Sequence, residues 1–323
     1  MKKFFIFLIL SLSALLSWAD SSASDSVKSK ADGFARNYCE VPDLEKGNAD
    51  DIARILYGGA TCCLLEDNRP LAVMFTAEGG YGRVLDSYLT PITYTGWHTG
   101  LGFEHNQACG FYPERWQRQL SLGVVYDNVE NRVGNNTMHH LRGTARWALM
   151  HKWYPSFLHG KLTLMGGGMT WLHGGIIYNS ANSNNPVSVK GHWTLGLQGI
   201  AQYEFKMGRI PVYLRYQAAL PVAGVWFSPE YDESFYEIYL GNHRNLMQVG
   251  WWGNRFDLDH QITADFRLGG TILRIGYHGT FERSWANRLN THITTHAIVI
   301  GVGCEFFTRG SHYNPQALTI SSY

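Results

Sequence analysis

Polar and apolar positions of this chain alternate one by one over unusually long stretches. Between Lys190 and Lys206 one face carries Lys190, His192, Thr194, Gln198, Gln202 and Glu204, and the other carries Trp193, Leu195, Leu197, Ala201, Tyr203 and Phe205. Successive side chains of a strand point to opposite faces, so this segment has one wet wall and one apolar wall. A strand of a globular protein usually ends after about five or six residues. The apolar wall starts on a Trp and ends on a Tyr and a Phe, as in a membrane barrel with aromatics at both interfaces. The pattern recurs: Leu258, Ile262, Ala264, Phe266 and Leu268 oppose Asp257, Asp259, Gln261, Thr263, Asp265 and Arg267. Leu273, Ile275, Tyr277 and Phe281 oppose Arg274, His278, Thr280 and Glu282, and Val212, Leu214, Tyr216, Ala218 and Leu220 oppose Arg215 and Gln217. With lipid as the outer solvent, the apolar sets face outward and the polar sets inward. The stretch from Leu162 to His173 is too rich in Gly for a face to be assigned.

Such segments predict ten strands, near Leu71–Tyr81, Tyr94–Asn106, Trp116–Glu130, His139–Trp153, Lys161–Tyr178, Ser188–Lys206, Pro211–Trp226, Phe256–Leu268, Thr271–Ser284 and Thr291–Phe307. An even count is what single-chain bacterial barrels use. Met207–Ile210 and Gly269–Gly270 read as tight turns, whereas Asn179–Val187, Phe227–Arg255 and Arg283–Asn290 read as long loops. Short periplasmic turns and long extracellular loops would put both termini in the periplasm. The fold class expected is therefore all-β, an antiparallel transmembrane β-barrel of about ten strands over residues 69–307.

The flanks read differently. Lys2 and Lys3, an apolar run from Phe4 to Leu16 and the small residues Ser17 and Ala19 form an export signal over residues 1–19. Residues 20–68 form a periplasmic leader, with one short amphipathic helix expected after Asn48 on Ile52, Ile55 and Leu56. Residues 308–323 trail the last strand as a tail. Ile298, Ile300, Val302, Cys304 and Phe306 line one face of that strand, the kind of segment barrel-assembly machinery recognises, so that machinery and outer-membrane lipid are the expected partners.

Composition narrows the classes. Charged residues are 16% of the chain and aromatics 14%, with 11 Trp and 18 Tyr, which excludes disorder and disfavours a soluble helical protein. With 27 Lys and Arg against 26 Asp and Glu, nothing attracts nucleic acid. Cys39, Cys62, Cys63, Cys109 and Cys304 include no C-x-x-C, and their odd number leaves at least one unpaired.

Asp257-x-Asp259-His260 is the most enzyme-like string, but on a strand the two carboxylates share a face and His260 points away. An inward network with Arg255, Arg267 or Arg274 is the expected use, joined by Asp265, Arg215 and Glu204, because charges inside a small lumen must be paired. His292 and His296 would stand roughly 13 Å apart on a strand, too far to share a metal. Gly166-Gly167-Gly168 has no following helix or Lys and is no phosphate loop. No catalytic residue, metal or cofactor is called for. The aromatic and acidic stretch Phe227–Arg255, about 29 residues long, is expected to order over or into the outer mouth. Tyr239, Asn242, His243, Asn254 and Arg255 are its candidate binding residues for an unknown ligand.

Several strings also resemble a known family: Tyr178-Asn179-Ser180-Ala181-Asn182-Ser183-Asn184-Asn185-Pro186, Ser228-Pro229-Glu230-Tyr231, Tyr236-Glu237-Ile238-Tyr239-Leu240-Gly241-Asn242-His243 and Trp251-Trp252-Gly253-Asn254-Arg255-Phe256-Asp257-Leu258-Asp259. Leu85-Asp86-Ser87-Tyr88-Leu89-Thr90-Pro91 and Tyr94-Thr95-Gly96 add to them. Over about Val84 to Phe307 the chain is similar to a Gram-negative exported family called a domain of unknown function (three-three-one-six). That resemblance implies an outer-membrane barrel and supplies no reaction. The expected role is binding, structural or small-solute passage through the extracellular loops. A barrel-embedded hydrolase of lipid or peptide and a soluble lipocalin-like carrier are the alternatives.

Overall fold

The computed structural model describes residues 69–306, except 157–160, 183–184, 232 and 242–243. The expected signal peptide, leader, helix and tail lie outside the described residues, as do Cys39, Cys62, Cys63 and Phe307. Twelve elements follow in chain order: β1 (Leu71–Asp86), β2 (Thr90–Ala108), β3 (Trp116–Glu130), β4 (Thr137–Trp153), β5 (Leu162–Asn179), β6 (Val187–Met207), β7 (Ile210–Phe227), α1 (Phe235–Tyr239), β8 (Met247–Trp251), β9 (Arg255–Leu268), β10 (Thr271–Ala286) and β11 (Leu289–Phe306).

Neighbouring strands pair antiparallel, and β1 pairs with β11 along its whole length, from Leu71 opposite Phe306 to Asp86 opposite Thr291. With β6 on β7 and β7 on β9, ten strands close into a ring without a free edge. β8 stands outside that count. It pairs with the end of β7, Ala223 to Phe227, where β9 no longer reaches. Leu220, Pro221 and Val222 therefore have no ladder partner on that side, and the Trp252 indole donates to the Pro221 carbonyl at 2.6 Å.

The expected facing holds except at Val212, expected outside with Leu214 and Tyr216 but buried. In β6, His192, Thr194, Gln198 and Gln202 are buried, while Trp193, Leu195 and Leu197 are exposed. Leu101, Val124, Ile275, Ile298 and Ile300 are likewise exposed on the outer wall. β5, unassigned from its sequence, turns Met165, Met169, Trp171 and His173 inward. A side chain at Gly167 would meet the Leu149 carbonyl, so that glycine serves close strand approach. Outside, Tyr126, His139 and Tyr178 stack with Trp97 meeting Tyr126 edge-on toward one rim, and Trp116 meets His151 edge-on beside Trp153 toward the other.

The rim that holds the start of β1 and the end of β11 is the terminal rim; the opposite one is the far rim. Gly208 and Gly269 open the two tightest turns of the terminal rim at φ of 64° and 66°, where a side chain would be strained. The far rim departs from expectation at Arg283–Asn290. Strands β10 and β11 run on until only Asn287 and Arg288 turn, both with positive φ. No Asn-Gly announces this hairpin; the Asn287 amide instead holds it by donating to the carbonyls of Ser228 and Asn245. The alternation of short and long connections is consequently partial, since 109–115 and 154–161 on the terminal rim exceed 87–89 on the far rim.

The described residues of the stretch after β7 include α1 and β8. Ser234 and Glu237 form a capping box for α1, and these bonds hold the exposed Glu237 carboxyl below its ordinary pKa. The stretch reaches the β1–β2 turn, where Tyr88 donates to the Glu233 carbonyl at 2.9 Å and its ring meets Phe235 edge-on. Burial, with Asp86 and Glu233 nearby, pushes the Tyr88 hydroxyl up to about 12, so it remains a donor. Beneath this crossing, Val84, Leu89, Tyr94, Val129, Met138, Ile177 and Ile293 form an apolar layer inside the lumen. A second apolar cluster, Ala148, Met150, Met165, Met169, Trp171, Ile200 and Ala219, lines the β4 to β7 side.

Arg at Leu197, mid-strand on the outer wall, should cost about 2 to 4 kcal/mol in lipid. Gln198→Ala, which removes an inward amide bonded to Gln119, should cost about 1 kcal/mol. Refolding titrations into lipid vesicles measure both, and the reverse order would invert the wall.

Candidate functional site

The inward phase of the strands concentrates charge in the lumen, where each charge needs a partner because water is scarce. A belt of hydrogen bonds starts at His140 on β4, whose Nδ1 lies 2.7 Å from Asp127 Oδ2. Asp127 Oδ1 meets His98 Nδ1 at 2.5 Å, His98 Nε2 meets Glu78 Oε1 at 3.1 Å, and Glu78 Oε2 meets His278 Nδ1 at 2.6 Å. His278 Nε2 then meets Asp259 Oδ2 at 2.9 Å, and Arg146, back on β4, donates to Asp259 Oδ1 at 2.9 Å. Both ring nitrogens of His98 and of His278 face carboxylate oxygens. The belt passes through β3, β2, β1, β10 and β9 and returns to the strand it left.

Toward the terminal rim a second cluster centres on Glu104. It accepts from Arg215 at 2.6 Å, Arg274 at 2.8 Å, Asn106 at 2.7 Å and Gln119 at 2.8 Å, groups on four different strands. Arg274 also forks onto both oxygens of Asp265, at 2.7 Å each. Toward the far rim Arg142 pairs with Glu282, Arg255 with Asp257 at 2.7 Å and Lys190 with Asp86 at 2.9 Å.

Of the expected lumen residues, Asp257, Asp259, Asp265, Arg215 and Arg274 enter these clusters. Arg267 pairs with Glu305 and lies over the Tyr213 ring, 5.8 Å from its centroid. Glu204 stands opposite Tyr213 near the end of β6, half-buried and outside the paired groups. His260 lies on the other face from Asp257 and Asp259, beside Tyr277. Both Asp259 oxygens are occupied, by Arg146 and His278, so the two carboxylates share no open site. The expected binding residues are not brought together. Tyr239 ends α1 almost fully exposed. Asn254 spends its amide inside the β8–β9 corner, accepting from Trp251 N and donating to Val249 O. Arg255 points into the lumen, and Asn242 and His243 lie outside the described residues.

Glu78, His98, Glu104, Asp127, His140, Arg142 and Arg146 were not singled out in the sequence. Their signal was present as inward phase: 98, 104 and 106 share one face of β2, and 140, 142 and 146 share one face of β4. Gly96, Gly100, Gly102 and Gly143 dilute the alternation there.

Between the belt and the far rim lies a cavity with about 30 Å³ open to water centres, bordered by His140, Arg142, His173, Lys190, His192, Trp226, Arg255 and Glu282. The His173 and His192 rings lie 4.0 Å apart, and Arg255 sits over the Trp226 ring at 5.5 Å while donating to His192 Nε2 at 3.3 Å. Arg142 Nε, His173 Nε2, Trp226 Nε1 and Asp257 Oδ1 are buried without a hydrogen-bond partner. Among the described residues, no group of three or more His, Cys, Asp or Glu could hold a metal ion.

Replacing Glu104 by Ala leaves Arg215 and Arg274 facing each other without their shared carboxylate and should destabilise the barrel by about 3 to 5 kcal/mol. Replacing Glu104 and Arg215 together by Gln and Leu, which leaves Arg274 on Asp265, should cost less. Urea unfolding in detergent compares them, and a Glu104→Ala protein as stable as wild type would show that the cluster does not hold the lumen.

Solved structures similar to the chain match at low identity. The outer membrane protease OmpT from Escherichia coli is 6% identical, covering 75% of this chain and 98% of that one at a TM-score of 0.38. The transport unit of the autotransporter AIDA-I from Escherichia coli is 8% identical, with 85% and 97% covered and a TM-score of 0.37. The translocator domain of the autotransporter NalP from Neisseria meningitidis is 10% identical, with 80% and 96% covered and a TM-score of 0.32. Likeness at this level says nothing of activity. No curated protein sequence matches the chain. The family described as protein of unknown function (DUF3316) matches residues 66–311, which include the whole ring of strands, and this chain belongs to it.

Proposed function

We propose that this protein is a ligand-binding barrel of the Gram-negative outer membrane, closed to free diffusion, with its binding end at the far rim. The observation that carries this reading is the cross-lumen pairing. Arg274 and Arg215 converge on Glu104 from separate strands, Arg146 crosses to Asp259 and Arg142 crosses to Glu282. A small barrel filled in this way has no continuous water path, unlike the much wider porins. The apolar outer wall with its aromatic rings supports insertion in lipid, and a soluble carrier would need a polar exterior. The long crossing stretch after β7 supports the far rim as the outward end, because extracellular loops are the longer ones.

Full-length protein folded into planar bilayers should be electrically silent at neutral pH. Steady single-channel conductance typical of a porin would sink the closed-barrel reading. Epitope tags within 182–185 or 230–233 should be labelled on intact cells, and a tag at Gly208-Arg209 should not. Labelling at Gly208-Arg209 alone would turn the barrel over.

A further inference from the structure

We propose that the cavity beneath the far rim binds one oxyanion group, a carboxylate or phosphate head. This deepens the ligand-binding reading above and rests on it. The argument is an imbalance of hydrogen-bonding valence. Arg142, Arg255 and Lys190 border the cavity; Arg142 pairs with Glu282, Arg255 with Asp257 and His192, and Lys190 with Asp86 and Thr291, and a guanidinium has five donors. Arg142 and Trp226 are each about 95% buried, and the Arg142 Nε–H and the Trp226 Nε1–H have no acceptor. An indole N–H can only donate, so rotation or a change of tautomer cannot satisfy it. Buried donors without partners are rare in folded proteins, and two on one small cavity mark a place where an acceptor belongs.

A metal cation would meet guanidinium and ammonium groups before any free carboxylate. An oxyanion supplies several acceptor lone pairs at once and matches the planar fork of Arg in particular. Asp257 Oδ1 is an unpartnered acceptor close by, and it suits a hydroxyl on the same ligand, as in a hydrogen phosphate or a hydroxy acid. The cavity is small, with room for a few water-sized groups, which suits a compact head group.

The head group could arrive on a free solute or on an acyl chain, and titration separates these. Full-length protein, folded in non-ionic detergent and exchanged into buffer free of phosphate and carboxylate, is titrated calorimetrically with sodium phosphate, sodium acetate, sodium decanoate and lysophosphatidic acid. Sodium chloride is the ionic-strength control. The expected result is saturable one-to-one binding of at least one oxyanion and none of chloride. Preference for phosphate or acetate assigns a free solute, and binding confined to decanoate or lysophosphatidic acid assigns a lipid head.

In Arg142→Gln/Glu282→Gln, which removes an ion pair as a unit, affinity should fall about tenfold, the worth of one charge-assisted hydrogen bond. Trp226→Phe keeps the ring, loses the N–H, and should weaken binding about threefold even if the double variant does not fold. Wild-type protein that migrates as folded yet binds none of the four probes, or variants that bind as tightly as wild type, would overturn the proposal. Such an outcome leaves the closed-barrel reading to its conductance measurement, which is independent of any ligand.

Discussion

Everything in this molecule depends on the closure of one hydrogen-bond ladder. β1 finds its last partner in β11 through sixteen residues of unbroken register. Once the ring is shut, no backbone group along the wall needs water, and the two faces of every strand belong to different media. A slip of one residue would move Ile298 and Ile300 inward and Thr295 and Ala297 outward, reversing both solvation patterns together. The long alternation in the sequence is thus the requirement that closure places on each strand, and it explains why strands several times the globular length keep strict phase.

Closure at ten strands also fixes what the interior can be. The lumen is narrow enough for side chains from opposite walls to touch, so its charges act as cross-links and do not line a channel. The belt from His140 through Asp127, His98, Glu78 and His278 to Asp259 and Arg146 ties six strands together, and Glu104 ties four more contacts below it. Such pairs are poor net sources of stability, since desolvation offsets most of the attraction. Their effect is specificity: a strand in the wrong register would strand a carboxylate against apolar groups or against another carboxylate. Above the belt lie the cavity and the stretch that crosses from β7 to the β1–β2 turn.

How much of this was legible follows from where information is local. The facing of β6, β7, β9 and β10 and the count of ring strands could be read from period two alone, because each strand carries its own alternation. The inward roles of Asp257, Asp259, Asp265, Arg215 and Arg274 followed from the same phase. Their partners did not, for a pairing such as Arg146 with Asp259 spans 113 residues and depends on strand stagger around the ring. β2 hid His98 and Glu104 because Gly96, Gly100 and Gly102 interrupt its polar face, and in β4 Ala148 and Met150 share the inward face with His140 and Arg142. The Asn287-Arg288 turn was missed for a related reason. Its positive φ values are held by contacts with Ser228 and Asn245, residues of another loop, and by no local turn signal.

The wall is least regular beside the cavity, and the two features have one cause. Pro221 has no N–H to give a ladder, so pairing on β7 stops with Ala219 opposite Asp259 and resumes on β8 with Ala223 opposite Trp251. On its other side β7 meets a register shift at Leu195 and Gly196 of β6. The chain between β8 and β9 is thereby forced into a corner at Trp252 to Asn254, with the Trp252 indole covering the orphaned Pro221 carbonyl. Arg255 is the first residue beyond that corner, and the turn delivers its guanidinium inward over Trp226, at the edge of the cavity. Two unpartnered donors, Arg142 Nε and Trp226 Nε1, border the cavity at this end of the wall. Where local regularity is given up without gain to the fold, function is the usual beneficiary. The proline that interrupts the ladder and the arginine that follows the corner therefore belong to one irregular stretch of wall at the edge of the cavity.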